Sequence, residues 1–99
     1  MNAVAGFDWD AGNLQKCLKH GVTVADIESV FAGQVMVSPD PAHSAFEDRF
    51  KAIGKTANGR YVFLIFTLRG HSSERLIRPI SARFMHQKEI AHYENPAQT

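Results

Sequence analysis

The run Tyr61-Val62-Phe63-Leu64-Ile65-Phe66 constrains this chain more than any other stretch. Successive side chains of a strand point to opposite faces, so a run without alternation is apolar above and below. A strand of that kind belongs in the middle of a sheet, covered on each side, with helices over one face and room for a partner over the other. Its flanks agree. Ala57-Asn58-Gly59 carries the residues of a hairpin connection, so Phe50–Lys55 and Arg60–Arg69 read as consecutive antiparallel strands. Gly70 to Ser73 then turns the chain into a third segment.

That third segment, Arg75 to Glu89, sets Arg75, Arg78, Arg83, Ser81 and His86 on a frame of Leu76, Ile77, Ile80 and Phe84. At strict period two, Leu76, Arg78, Ile80 and Ala82 share one face, and Ile77, Ser81 and Arg83 the other. Pro79 has no N–H to give a ladder, so the strand lies on an edge or bulges there. A bulge shifts the alternation and brings Arg78 and Arg83 to the same face. Guanidinium groups offer a fixed fork of donors that matches phosphate, and arginines held on a stiff strand suit a phosphate-reading surface. An edge strand with solvated arginines is the structural alternative.

The front of the chain is helical. Phe7 and Trp9 lie in a short alternating segment that reads as a first strand or an extended arm. Asp10 is the N-cap of a helix running to about His20, with Leu14, Cys17 and Leu18 on its apolar stripe. Lys16, Lys19 and His20 fall late in it, where positive charge suits the carbonyl end, and Gly21 supplies a left-handed stop. Thr23 caps a second helix with Asp26 at its third position, and Val22 and Ile27 form a hydrophobic staple. Ile27, Val30 and Phe31 face the core, and Gly33 ends the helix. Val35–Val37 is a short strand stopped at Ser38-Pro39-Asp40-Pro41. The loop after it gathers His43, Ser44, Glu47 and Asp48. A last helix, about Met85 to Tyr93, turns Ile90 and Tyr93 inward before Pro96. The order is two helices, an antiparallel meander of three or four strands, and a helix: an α+β fold in a single domain, residues 1–99.

Composition excludes more than it assigns. A formal net charge of +1 is too small to argue for nucleic acid. Its distribution says more: Arg60, Arg69, Arg75, Arg78 and Arg83 lie in the later half, with acids at Asp8, Asp10, Asp40 to Asp48 and the C-terminus. The lone Cys17 excludes an internal disulfide, and the Cys and His spacing gives no structural zinc pattern. No segment has the length of a membrane span, and the first residues lack a signal peptide's order, so a cytoplasmic protein is expected.

Several stretches together resemble one known family. Phe7-Asp8-Trp9-Asp10, Gly12-Asn13, Lys16, Lys19-His20-Gly21-Val22, Pro39-Asp40-Pro41, His43-Ser44, Glu47-Asp48-Arg49, Ile53-Gly54, Arg78-Pro79-Ile80-Ser81-Ala82-Arg83, Met85-His86 and Lys88-Glu89 stand in the order and spacing of the BrnT family. These are the toxins of BrnT/BrnA type II toxin–antitoxin pairs. The chain is similar to the branch with Gly-Asn in the first helix and Pro-Ile-Ser-Ala-Arg before the last. The best-known members instead have one more residue between the Trp and the Lys-His-Gly, and no proline before the Ser-Ala-Arg. The resemblance implies a RelE-like α+β fold and cleavage of cellular RNA without a metal or other cofactor, inhibiting translation. It also implies silencing by a BrnA-type antitoxin, with DNA contacted only through the complex, in operon autoregulation.

Metal-free RNA cleavage needs a base for the 2′-hydroxyl proton, cations for the charged phosphorane, and an acid for the leaving oxygen. RNA brings its own nucleophile, so Cys17 reads as core and Ser81 as a group that orients a neighbour beside the substrate. The candidate catalytic residues are Arg78 and Arg83 for phosphate, Lys19 and His20 as a cation and a group that titrates near neutrality, and Glu47 as base or as the carboxylate that orients a cation. Candidate substrate contacts are Arg75, Ser81, His86 and Trp9. His86 reads equally as part of a helix cap, and Trp9 either stacks a base or packs on the first helix. A catalytically inactive module that binds antitoxin or RNA is the alternative function.

Overall fold

The computed structural model describes residues 6–70 and 74–95. In chain order the elements are β1 (Gly6–Phe7), α1 (Ala11–Leu18), α2 (Val24–Ala32), β2 (Val35–Pro39), a 3-10 turn (Pro41–His43), β3 (Arg49–Lys55), β4 (Tyr61–Arg69), β5 (Leu76–Phe84) and α3 (Gln87–Glu94). The sheet order is β1-β5-β4-β3-β2, so the apolar run lies on the central strand. The fold is α+β, and its sheet is mixed rather than a pure antiparallel meander. β2 to β5 are antiparallel neighbours, and β1 adds a parallel strand by pairing Gly6 with Leu76 and Phe7 with Ile77. Of the two readings of the Phe7-to-Trp9 segment, the strand holds for Gly6–Phe7, while its parallel partner leaves no trace in local sequence.

The helices stop where local chemistry tells them to. Asp10 accepts from the Gly12 and Asn13 amides at 3.0 and 3.2 Å, and Asn13 returns the contact by accepting from the Asp10 amide at 2.8 Å. α1 ends at Leu18, short of the expected His20, and Gly21 follows with a φ of 86° that favours glycine. Thr23 and Asp26 exchange capping bonds of 3.0 and 3.1 Å at the start of α2. Val22 and Ile27 beside them are fully buried, as a staple requires. Leu18 departs from its expected place and is 43% exposed, because α1 lies along the sheet margin and buries only a narrow stripe around Cys17. Gly33 caps α2 in extended backbone, leading directly into β2, which runs on through Pro39 because an edge strand tolerates the missing donor. α3 spans Gln87–Glu94, with Ile90 and Tyr93 half-buried. Most of the turn Gly70 to Ser73 and the expected stop at Pro96 lie outside the described residues.

One face of the sheet carries the core. Val62, Leu64 and Phe66 of β4 meet Ala52 of β3, Ile77 and Ala82 of β5, Cys17 of α1, and Ile27 and Val30 of α2. Burying each large side chain contributes about 1.5–3 kcal/mol, and Phe66, Ile27, Leu64 and Ile77 are the largest here. The rings of Phe50 and Phe66 stack at 5.4 Å, and Phe31 meets Phe66 edge-on at 5.2 Å.

The bulge anticipated at Pro79 is present and decides what the other face shows. Ser81 pairs with Ile65 and Pro79 with Phe66, which leaves Ile80 as the extra residue. Strict alternation therefore fails: Ala82 joins Ile77 and Pro79 on the core side. Arg78 opposite Thr67, Ser81 opposite Ile65 and Arg83 opposite Phe63 all share the face turned away from the core. Beyond Ile77, α1 covers the free edge of β5, where Asn13 Nδ2 donates 2.8 Å to the Pro79 carbonyl.

Candidate functional site

The β3–β4 hairpin builds half of a cleft on the outer face. Arg49 pairs with Thr67, so Arg49 and Arg69 are diagonal neighbours on the side that carries Arg78. The loop before β3 adds Glu47. That loop is anchored by Ser44, whose hydroxyl donates to the Asp40 carbonyl at 2.8 Å and accepts from the Arg49 amide at 3.0 Å. Thr67, only 2% exposed, donates to the Asp48 carbonyl at 2.7 Å. The Glu47 carboxylate thus sits between two guanidiniums, with one oxygen 3.2 Å from Arg69 Nη2 and the other 3.3 Å from Arg49 Nη2.

α1 and β5 build the other half. The cleft measures about 250 Å³ and is lined by Lys16, Glu47, Arg49, Arg69, Arg78 and Ile80 with the Gly12-Asn13 turn. Four cations face one carboxylate there. Arg78 is held from behind by a bidentate pair with Asp10, at 3.0 and 3.2 Å, and by Asp8 at 3.5 Å. These contacts hold the Asp10 carboxyl below its ordinary range, through the Arg78 hydrogen bond first, and raise Arg78 further. A guanidinium has five N–H donors, so about two remain for an incoming anion. Lys16 is exposed and has no partner among the described residues. A larger cavity of about 790 Å³ lies between the C-terminal end of α2, β2, β3 and Tyr93, but its lining holds a single cation, Lys55, and no carboxylate. Charge singles out the smaller cleft.

The sequence candidates divide between this cleft and other places. Arg78 and Glu47 meet in it. Arg83 lies farther along the same face in a bidentate pair with Glu89, at 2.7 and 2.8 Å, with its guanidinium 4.8 Å from the centre of the Phe63 ring. That pair, with the His86 amide at 2.9 Å, pulls the Glu89 carboxyl down to about 2. Ser81 sits half-buried between the two arginines. His86 is exposed as the N-cap of α3, and Arg75 is exposed just before β5. Lys19 and His20 are exposed at the end of α1 and do not line the cleft. Trp9 packs against the core, and its indole N–H donates 3.0 Å to Glu28 of α2. Burial pushes the Cys17 thiol up to about 11, far from a nucleophile's range.

Lys16, Arg49 and Arg69 were not among the sequence candidates. The hairpin register was the available signal, since strands joined at Ala57-Asn58-Gly59 place Arg49 and Arg69 on one face. Among the described residues no cluster of three or more His, Cys, Asp or Glu is disposed to hold a metal ion. No helix among them is long and apolar enough to cross a membrane.

No curated protein matches the chain. A family model described as the ribonuclease toxin, BrnT, of type II toxin–antitoxin systems matches residues 9–89. That span holds both halves of the cleft, from Lys16 to Arg78, and the Arg83–Glu89 pair that ends it. The chain belongs to the BrnT family of ribonuclease toxins.

Proposed function

We propose that the protein is an endoribonuclease that cuts cellular RNA without a metal ion, using the cleft between α1, β5 and the β3–β4 hairpin, and so inhibits translation. The observation that carries this reading is the convergence of Lys16, Arg49, Arg69 and Arg78 around Glu47. A scissile phosphate entering the cleft competes with Glu47 for Arg49 and Arg69, because guanidinium binds both anions through the same fork. The released carboxylate then accepts the 2′-hydroxyl proton. The 2′-oxygen attacks the adjacent phosphorus, the bond to the 5′-oxygen breaks, and a 2′,3′-cyclic phosphate forms. Arg78 and its neighbours neutralise charge that grows on the phosphorane, and the Lys16 ammonium gives a proton to the leaving oxygen. Arg83, four strand steps along the face and so roughly 13 Å away at about 3.3 Å per residue, meets a phosphate farther along the strand once that anion displaces Glu89 from its fork.

A BrnA-type antitoxin, acidic where it docks, covers this face and occludes the cleft. DNA is contacted only through that complex, and the toxin acts in the cytoplasm, where its RNA lies. Purified antitoxin-free protein incubated with RNA in EDTA tests the reading. Strand scission with cyclic-phosphate ends is expected. A mobility shift without scission points to an RNA binder, and neither result leaves a partner-binding module.

A further inference from the structure

Phe46 precedes Glu47 and is fully exposed, at 102% relative exposure. A large apolar side chain left in water forgoes the stabilisation that burial would bring. Its exposure is not that of a loose loop. Ser44 bonds both ends of the loop, Asp48 is held by Thr67, and Glu47 is clamped by Arg49 and Arg69. The ring is therefore presented from a fixed base one residue from the cleft, about 3.8 Å along the backbone.

We propose that Phe46 is a stacking platform for a nucleobase of single-stranded RNA whose phosphate occupies the adjacent cationic cleft. The inference rests on the ribonuclease reading and adds to it the substrate's form. Aromatic rings beside a cationic groove are the recurring means of holding unpaired strands, and each stacked base contributes about 1–3 kcal/mol. A protein partner fits the ring less well. Docking by burial needs a contiguous apolar patch, whereas Ala45 and Asp48 around Phe46 are small or charged and exposed. The other exposed large apolar residues described, Leu18, Met36 and Val37, lie on α1 and β2. A base must leave its helix to reach the ring, so the cut falls in unpaired RNA, with little dependence on base identity.

The test is the affinity of the antitoxin-free protein for a 2′-O-methyl octa-adenylate, which cannot be cleaved, measured by fluorescence anisotropy in EDTA at fixed salt. Phe46→Ala and Phe46→Leu are expected to weaken binding about 5- to 100-fold, the equivalent of one stacked base, and Phe46→Trp to match the parent. On an abasic strand of equal length all four should bind alike, and the thermal midpoint should not fall in Phe46→Ala. Equal affinity of parent and Phe46→Ala overturns the proposal, as does full affinity in Phe46→Leu. Loss of antitoxin binding in Phe46→Ala with RNA affinity unchanged also overturns it and assigns the ring to the protein partner. If the parent binds the strand through Phe46 yet leaves RNA intact in EDTA, stacking stands and the cleavage reading falls; a parent that binds neither strand removes both.

Discussion

Arg78 and Arg83 are the same residue type on the same strand face, yet their surroundings assign them different work. Arg78 is backed by two carboxylates and still opens on the cleft, whereas Arg83 has its fork taken by Glu89 and its plane over Phe63. The Arg83–Glu89 pair leaves a signature in pH. Glu89 is held at about 2, below its ordinary 4.5, so its contribution to stability is complete above about 4.5 and disappears as the pH falls toward 2. Both side chains are about a third exposed, which keeps that contribution small, under about 1 kcal/mol. In Glu89→Gln the thermal midpoint should lie slightly below the parent's at neutral pH. The two should converge between pH 4.5 and 2. A gap that persists unchanged to the lowest pH shows that the bidentate pair is not what Glu89 contributes.

Among the elements, α1 supplies one wall of the cleft, and beside the Asp10–Arg78 pair and buried Cys17 one polar side chain ties it to the backbone of the sheet. Buried Asn13 accepts from the Asp10 amide and donates to the carbonyls of Asp8 and Pro79, at 2.9 and 2.8 Å. Asn13→Ala leaves the Pro79 carbonyl without a partner and should cost about 1–3 kcal/mol, read by urea unfolding. Asn13→Asp should cost more, because an acceptor then faces two carbonyls; equal midpoints for Asp and Asn would contradict this attachment. The caps at Asp10 and Thr23 were legible in sequence because they are exchanges within a single turn. The strand bulge was legible because Pro79 forbids a regular ladder. For β1 the strand itself was legible, as one of two readings of the alternating Phe7-to-Trp9 segment, but its parallel pairing to Leu76 and Ile77 was not, being a long-range event with no local pattern. Lys16 could be read only as a helix-end charge, because what makes it a cleft residue is the bulged strand placed beside α1.

At the scale of the whole molecule, the central strand divides the protein into a face that folds it and a face that carries the cationic cleft. β4 sends Val62, Leu64 and Phe66 into the core and sets Thr67 and Arg69 beside Arg49 and Arg78. The α+β order was legible in the sequence, because an apolar run and its turns fix a central strand wherever it pairs. The cleft was legible only in part. Arg78 and Glu47 were within reach, but Arg49 and Arg69 gain their meaning from a shared carboxylate that brings separate segments together. The most direct test of the cleft is the single-turnover rate of RNA cleavage in EDTA by Arg78→Ala beside the parent, with an unchanged circular-dichroism spectrum as the check that the variant is folded. A lost transition-state donor costs on the order of 3 kcal/mol, so the rate should fall by about two decades, while Arg83→Ala weakens RNA binding more than it slows the step. A folded Arg78→Ala that cleaves as fast as the parent would contradict the placement of the reaction in this cleft.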